Sequence, residues 1–205
     1  MPENQRITDY QQAYFLGIGG IGMSAIARYL LQLGIPVMGY DKTPTPLTQA
    51  LIDEGAIITF NDELEALPEV VKNNLDQTLF ILTPAIPKNH PQWNWLQSQN
   101  AQILKRSEIL GKIAQNGYCI AVAGTHGKTT TSSLLTHLLV HAKQNVTAFL
   151  GGITQNYGTN FIPNQGRENM VCVVEADEYD RSFLTLHPTA AVVTSTDADH
   201  LDIYG

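Results

Sequence analysis

Ala121-Val122-Ala123-Gly124-Thr125-His126-Gly127-Lys128-Thr129-Thr130-Thr131 is the stretch on which the reading of the fold turns. With the apolar residues before it, 118–123 reads as a buried strand. Two glycines follow, then a lysine and three threonines. Leu134, Leu135, Leu138, Leu139 and Ala142 then recur at helical spacing, which predicts a helix with those residues on its buried face. Strand, glycine loop and helix make a phosphate cradle: backbone N–H groups close around an oxyanion and the helix N-terminus adds partial positive charge. A lysine there reaches the β/γ-phosphates, and the hydroxyl after it binds Mg²⁺. The pattern is a shortened one, because Val122 stands where the longer phosphate-loop signature has its first glycine. The same residues also suit a tight strand-to-helix turn with an ordinary surface lysine.

A second glycine turn lies nearer the N-terminus. The apolar Tyr14-Phe15-Leu16 runs into Gly17-Ile18-Gly19-Gly20-Ile21-Gly22, which fits G-x-G-x-x-G. A helix is expected next, with Met23, Ile26, Leu30 and Leu33 on one face and Gly34 as its cap. The strand after it, 36–40, ends at Asp41, nineteen positions beyond Gly22. That is the β-α-β arrangement of a dinucleotide-binding first unit. The alternatives are glycines needed only for a close helix–strand crossing, and an Asp41 that merely ends a strand in solvent.

Alternation continues: helix at 46–54, strand at 56–60, a weak helix at 63–73 interrupted by Pro68, strand at 79–82, a helix carrying Trp93, Trp95 and Leu96, and a short strand at 102–104. The series predicts a parallel, doubly wound sheet whose ligand crevice lies at the carboxyl ends of the strands. Gly19, Asp41 and the Thr83-Pro84-Ala85 turn sit at such ends. A helix over 107–115 leads to the second glycine loop, and the domain boundary is placed at 106–116. Beyond the loop helix, strands are expected at 145–150, 170–174 and 190–194. The polar segment 153–169 between them is read as a substrate-covering loop.

Two of these strands end in acid: Glu175-Ala176-Asp177-Glu178-Tyr179-Asp180 and Asp197-Ala198-Asp199-His200-Leu201-Asp202. Four carboxylates within 175–180 repel one another unless a cation is near. A Mg²⁺ shared with Thr129 supplies it, and Glu175, first past a central strand, is the candidate ligand. A solvent-facing acidic turn is the plainer alternative, and His200 taken alone suits a hydrogen-bonding or capping role equally well. His137 and His141 lack the glutamate of a zinc helix motif and lie well down the helix from the phosphate. His126 lies inside the loop.

Composition narrows the classes. With 205 residues, 43% hydrophobic, a real core is available; with 15% charged, disorder is not expected. A net charge of −7 without a basic cluster argues against a broad nucleic-acid surface. Cys119 and Cys172 lie in apolar runs without a C-x-x-C spacing, which reads as two buried thiols in a reducing cytoplasm. No apolar run is long enough to span a bilayer, and the polar N-terminus has no signal-peptide core.

Three blocks together resemble the Mur ligases, the ATP-dependent amide-bond-forming enzymes of peptidoglycan synthesis. They are Gly17 to Ser24, Gly124 to Thr131, and Glu175-Ala176-Asp177-Glu178 with Asp199-His200-Leu201-Asp202. The family pattern has the shorter phosphate loop seen here. The resemblance implies an α/β chain: a Rossmann-like parallel-sheet N-terminal domain (1–106), then a truncated P-loop-type central domain (107–205). It implies that Gly17, Gly19, Gly20, Ile21 and Gly22 hold a UDP-sugar diphosphate rather than NAD, with Asp41, Thr83, Pro84 and Ala85 near ribose and uracil. Gly124, Thr125, His126, Gly127, Lys128, Thr129 and Thr130 would surround ATP. Thr129 and Glu175 would bind one Mg²⁺ and His200 a second, with Lys128, Glu175 and His200 as the catalytic group. The implied substrates are UDP-N-acetylmuramate, L-alanine and ATP, joined through an acyl phosphate, with a tripeptide as the alternative amine. A different class, an NAD-dependent oxidoreductase, would leave the second loop unexplained; a non-catalytic nucleotide-binding module is a third. Ser195 departs from the asparagine that many members carry before the acidic-His turn. Since the family extends well past position 205, the chain is expected to be an N-terminal portion that does not complete catalysis.

Overall fold

Buried on both faces, Gln12–Leu16 forms strand β1, the centre of the first of two sheets. In the computed structural model the described residues are 6–164, 170–177 and 182–198. The chain divides into two units, Met1–Arg106 and Ser107–Gly205.

In the first unit β1 is followed by α1 (Ile21–Gln32), β2 (Val37–Tyr40), α2 (Pro46–Asp53), β3 (Ile57–Thr59), α3 (Glu69–Lys72), β4 (Thr78–Leu82), α4 (Pro91–Ser98) and β5 (Ile103–Lys105). The strand order is β3-β2-β1-β4-β5, all parallel. Winding reverses between β1 and β4, so the crevice opens above their carboxyl ends, where the first glycine turn and Thr83 lie. Phe15, Leu16, Phe80 and Ile81 are at most 1% exposed, as strands covered on both faces require.

Helix α1 ends in a Schellman motif: Ile35 N–H donates to Leu30 O (3.0 Å), Gly34 N–H donates to Leu31 O (2.9 Å), and Gly34 has φ +76°. Leu33 falls in this cap rather than on the helix stripe and is 42% exposed, which corrects its expected burial. Arg28 is held by Glu54, at the end of α2, with Nε to Oε2 at 2.8 Å. The expected weak helix at 63–73 is two pieces. A 3-10 turn spans Leu64–Ala66, and the single turn α3 begins after Pro68, which takes its N-cap.

Helix α4 is capped by a histidine: His90 Nδ1 accepts the Trp93 N–H at 3.4 Å. Its Nε2 is buried without a partner among the described residues. Desolvation lowers the His90 pKa, partly countered by Asp62. The folded state therefore binds fewer protons than the unfolded state below about pH 6.5, the ordinary histidine value. His90 contributes stability that is fully present above that pH and is lost as the pH falls toward its folded pKa. In urea titrations the first unit is expected to lose more stability between pH 7.5 and 5.5 than a His90→Asn variant, which keeps a capping acceptor but cannot protonate.

The second unit holds α5 (Arg106–Ala114, its first residue still in the first unit), β6 (Tyr118–Ala123), α6 (Lys128–His141), β7 (Val146–Phe149), β8 (Phe161–Ile162), β9 (Val171–Glu175) and β10 (Ala190–Val193). The order is β10-β6-β9-β7-β8, parallel except for β8. The polar segment after β7 thus contains a short antiparallel edge strand that its Asn and Gly content conceals. Cys119 and Cys172 face each other across β6 and β9; both thiols are free and buried, and burial raises both pKa values.

The buried face of α6 differs from the expected one. Leu134 and Leu138 are 59% and 57% exposed, and Ala142 is exposed. Ser132 and Thr136 are fully buried, with Leu135, Leu139 and Val140 packed against the core beside Ala148, Leu150 and Val173. Adjacent leucine pairs cover too wide an arc for all of them to face one sheet. The small hydroxyl residues between them occupy the inward row.

Candidate functional site: two open glycine turns

Strand β6 delivers the chain into the second loop at Gly124 (φ +122°), and Gly127 (φ +81°) caps α6. Lys128 curls back so that Nζ donates to Gly124 O at 2.8 Å. The residues after β10 clamp the outside of the loop. Thr125 N–H donates to Ser195 O (3.2 Å) and His126 N–H to Ser195 Oγ (3.0 Å). Thr194 Oγ1 donates to Ala123 O (3.0 Å) and also approaches His126 O. The Thr125 hydroxyl donates to Asp197 O at 2.9 Å. The amides of Gly127, Thr129 and Thr130 have no acceptor among the described residues. Half the loop is tied down and half is left for a ligand.

The two glycines differ in what surrounds them. A Cβ on Gly124 would overlap Thr194 Oγ1 and the Ser195 backbone, while one on Gly127 meets nothing closer than 3.9 Å. Gly124→Ala is expected to destabilise the second unit by about 2–4 kcal/mol, since strain and a backbone clash add. Gly127→Ala, with strain alone, should cost about 1 kcal/mol. Urea midpoints of the two variants check the order; equal losses would contradict the clamp.

Facing the loop helix, Glu175 ends β9 and gathers three donors. Thr129 Oγ1 donates to Oε2 at 3.0 Å; Ser132 Oγ and Gly151 N–H donate to Oε1 at 2.8 and 2.7 Å. The β9 end is fixed by Ala176 N–H donating to Val122 O (2.9 Å). A hydroxyl and a carboxylate in contact at the mouth of a phosphate loop are hard oxygen donors of the kind Mg²⁺ takes, together with water and phosphate oxygens. Among the described residues no group of three His, Cys, Asp or Glu side chains converges, so a cage made of protein groups alone is not offered there. The other expected ligand, His200, lies outside the described residues, as do Glu178 to Asp180, Asp199, Leu201 and Asp202.

In the first unit, Gly17 and Ile18 donate their N–H groups to Tyr40 O (2.8 and 3.1 Å). Asp41 Oδ2 accepts the Gly19 N–H at 2.6 Å, and Oδ1 accepts from Thr43 N at 3.3 Å. Asp41 is thus a loop-holding carboxylate as well as a candidate ribose contact. Thr83 N–H donates to Leu16 O (3.2 Å), and its methyl occupies the space a side chain on Gly17 (φ +87°) would need. The Thr83-Pro84-Ala85 turn therefore lies against the first glycine. The amides of Gly20, Gly22 and Met23 are without protein acceptors among the described residues.

Residues 12–118 match the Mur ligase family, catalytic domain, and residues 122–205 match the Mur ligase middle domain. The chain belongs to the Mur ligase family. It is 52% identical over 199 residues to a UDP-N-acetylmuramate–L-alanine ligase of Flavobacterium psychrophilum, covering 97% of this chain and 43% of that protein. The like-named enzyme of Flavobacterium johnsoniae is 53% identical over 199 residues, with the same coverage of both. The Mur ligase described here thus spans less than half the length of the curated relatives it matches. Its fold is similar to the crystal structure of the UDP-N-acetylmuramate-alanine ligase MurC from Thermotoga maritima, with a TM-score of 0.82 and 30% identity over 95% of this chain and 43% of that one. The fold is also similar to a UDP-N-acetylmuramate:L-alanyl-gamma-D-glutamyl-meso-diaminopimelate ligase from Neisseria meningitides, with a TM-score of 0.83 and 23% identity over 96% of this chain and 64% of that one. At that identity the likeness is one of fold.

Three parts of this Mur ligase site were not read from the sequence. Ser132 on Glu175 and the Thr194–Ser195 clamp are contacts made across strands, with no local signature. The third is a cleft of about 570 Å³ beside the loop, lined by Thr129, Thr130, Leu134, His137, Asn156 and Tyr157. His137 Nδ1 lies 3.0 Å from the Tyr157 hydroxyl, and its ring stacks on that of His141 at 6.4 Å. The segment 153–164 lines this cleft through Thr154 to Tyr157.

Proposed function

We propose that this chain carries the sugar-nucleotide and ATP-phosphate sites of a cytoplasmic ligase that joins L-alanine to UDP-N-acetylmuramate. One observation carries the reading: the Thr129–Glu175 pair beside the open amides of Gly127, Thr129 and Thr130, in a chain about half identical to L-alanine ligases. The first glycine turn holds the diphosphate on the amides of Gly20, Gly22 and Met23. Lys128 and the amides of the second loop hold the β- and γ-phosphates of ATP, whose γ-phosphoryl group goes to the carboxylate of the sugar's lactyl group. Transfer breaks the bond between the γ-phosphorus and the β,γ-bridging oxygen and gives an acyl phosphate and ADP. The neutral amine of L-alanine adds to the acyl carbonyl, loses a proton to solvent, and inorganic phosphate leaves. The residues chiefly align the reactants and neutralise charge. Thr129 and Glu175 would hold Mg²⁺, which supplies charge neutralisation on the transferring group, and a role for His200 at a second ion belongs to the same proposal.

Tripeptide as the amine is less well supported, since the likeness to the tripeptide-joining enzyme is one of fold. No helix among the described residues is long and apolar enough to cross a membrane. Calorimetry tests the reading: the chain should bind UDP-N-acetylmuramate, and should bind ATP only with Mg²⁺. Binding of NADH in place of the sugar nucleotide would overturn it. Competition between L-alanine and tripeptide for turnover by a longer form of the protein decides the amine.

A further inference from the structure

The geometry points to Arg106 as a further binding residue, one that takes the diphosphate of the sugar nucleotide; the inference rests on the substrate reading above. Arg106 follows β5, at the same carboxyl edge of the sheet that carries the glycine turn and Thr83. Its half-buried side chain crosses to the first turn of α1. There its Nη1, Cδ and Cζ lie 2.5, 2.9 and 3.3 Å from where a Cβ on Gly22 would sit. The last glycine of the motif is thus needed to admit a cation, not only to let a helix approach a strand.

Charge decides where an anion settles on this turn. Between Ile7 and Ala27 the chain has no lysine or arginine. Arg28, the next basic residue, is engaged by Glu54 at 2.8 Å. On one side of the turn the Asp41 carboxylate already accepts the Gly19 N–H, and it repels a second anion. On the other side the amides of Gly20, Gly22 and Met23 open beside the Arg106 guanidinium. A diphosphate is therefore steered to the Gly20–Met23 side. There the planar fork of an arginine can take two oxygens at once, which a lysine cannot.

The test is titration of this chain with UDP and, by ligand-observed NMR, with uridine, on wild type, Arg106→Ala, Arg106→Lys and Gly22→Ala. Arg106→Ala is expected to weaken UDP by about 10- to 100-fold, the worth of one or two charge-assisted hydrogen bonds. Uridine binding and Mg-ATP binding should stay unchanged, and Arg106→Lys should recover only part of the loss. Gly22→Ala displaces the guanidinium, so it should weaken UDP in the wild-type background but add little to Arg106→Ala. Arg106→Ala binding UDP as tightly as wild type, or losing uridine equally, overturns this inference alone. A wild-type chain that binds uridine but not UDP overturns the diphosphate reading, and this inference with it.

Discussion

Lys128→Ala is expected to lower phosphoryl transfer by about 10²- to 10³-fold or more, and to weaken Mg²⁺-dependent ATP binding by this chain. The Lys128 side chain lies folded over the loop, its ammonium on Gly124 O at 2.8 Å. That contact holds the charge at the place where the phosphates would arrive. Little reorganisation is then left for the moment of reaction, which makes a fixed charge effective. Alanine removes the charge and leaves Gly124 O to solvent, so the fold should hardly change. Single-turnover acyl-phosphate formation by a longer form of the protein, and ATP calorimetry on this chain, give the two readouts. ATP binding by the variant equal to wild type would remove Lys128 from the proposed role.

Glu175→Gln and Glu175→Ala should separate charge from architecture. Glutamine keeps a side-chain acceptor for Thr129, Ser132 or the Gly151 amide but loses the negative charge, so Mg²⁺ dependence should shift by tenfold or more, about 1.4 kcal/mol. Alanine also strands the three donors that meet on this carboxylate. Because the site is partly open to water, the added instability is about 1–2 kcal/mol rather than the full cost of buried groups. The expected pattern is two variants equally poor with Mg²⁺, of which only alanine unfolds at lower urea. Unchanged Mg²⁺ dependence in the glutamine variant would sink the assignment of Glu175 as a ligand.

The strand–turn–helix units at both glycine loops were legible because each carries its signal within a dozen residues. An apolar run, glycines at fixed offsets and a helical stripe follow one another at 14–32 and again at 118–141. The Mur ligase resemblance was legible for the same reason, and the family matches bear it out. What stayed hidden depends on pairing between distant residues. The clamp on His126 comes from Ser195, 69 positions away, and the Ser132 contact with Glu175 spans 43. Neither has a period or a spacing to read. The buried row of α6 was misread because leucine outranks serine on any hydropathy scale. The inward row needed small residues that fit against the sheet, and one of them also bonds: Ser132 reaches both Thr129 O and Glu175, whereas the buried Thr136 hydroxyl has no partner among the described residues. Strand β8 was missed because two residues at an edge make no pattern of alternation.

The two cysteines supply a built-in reporter. Both lie in the second unit and the first has none. Side by side across β6 and β9, at 1% and 0% exposure and with ionisation opposed by burial, they are closed to thiol reagents while that sheet is intact. Their labelling rate in the native protein therefore measures how often the second sheet opens, whatever the first is doing. Nucleotide protection of one half of the chain can be read by simple chemistry, without an engineered probe.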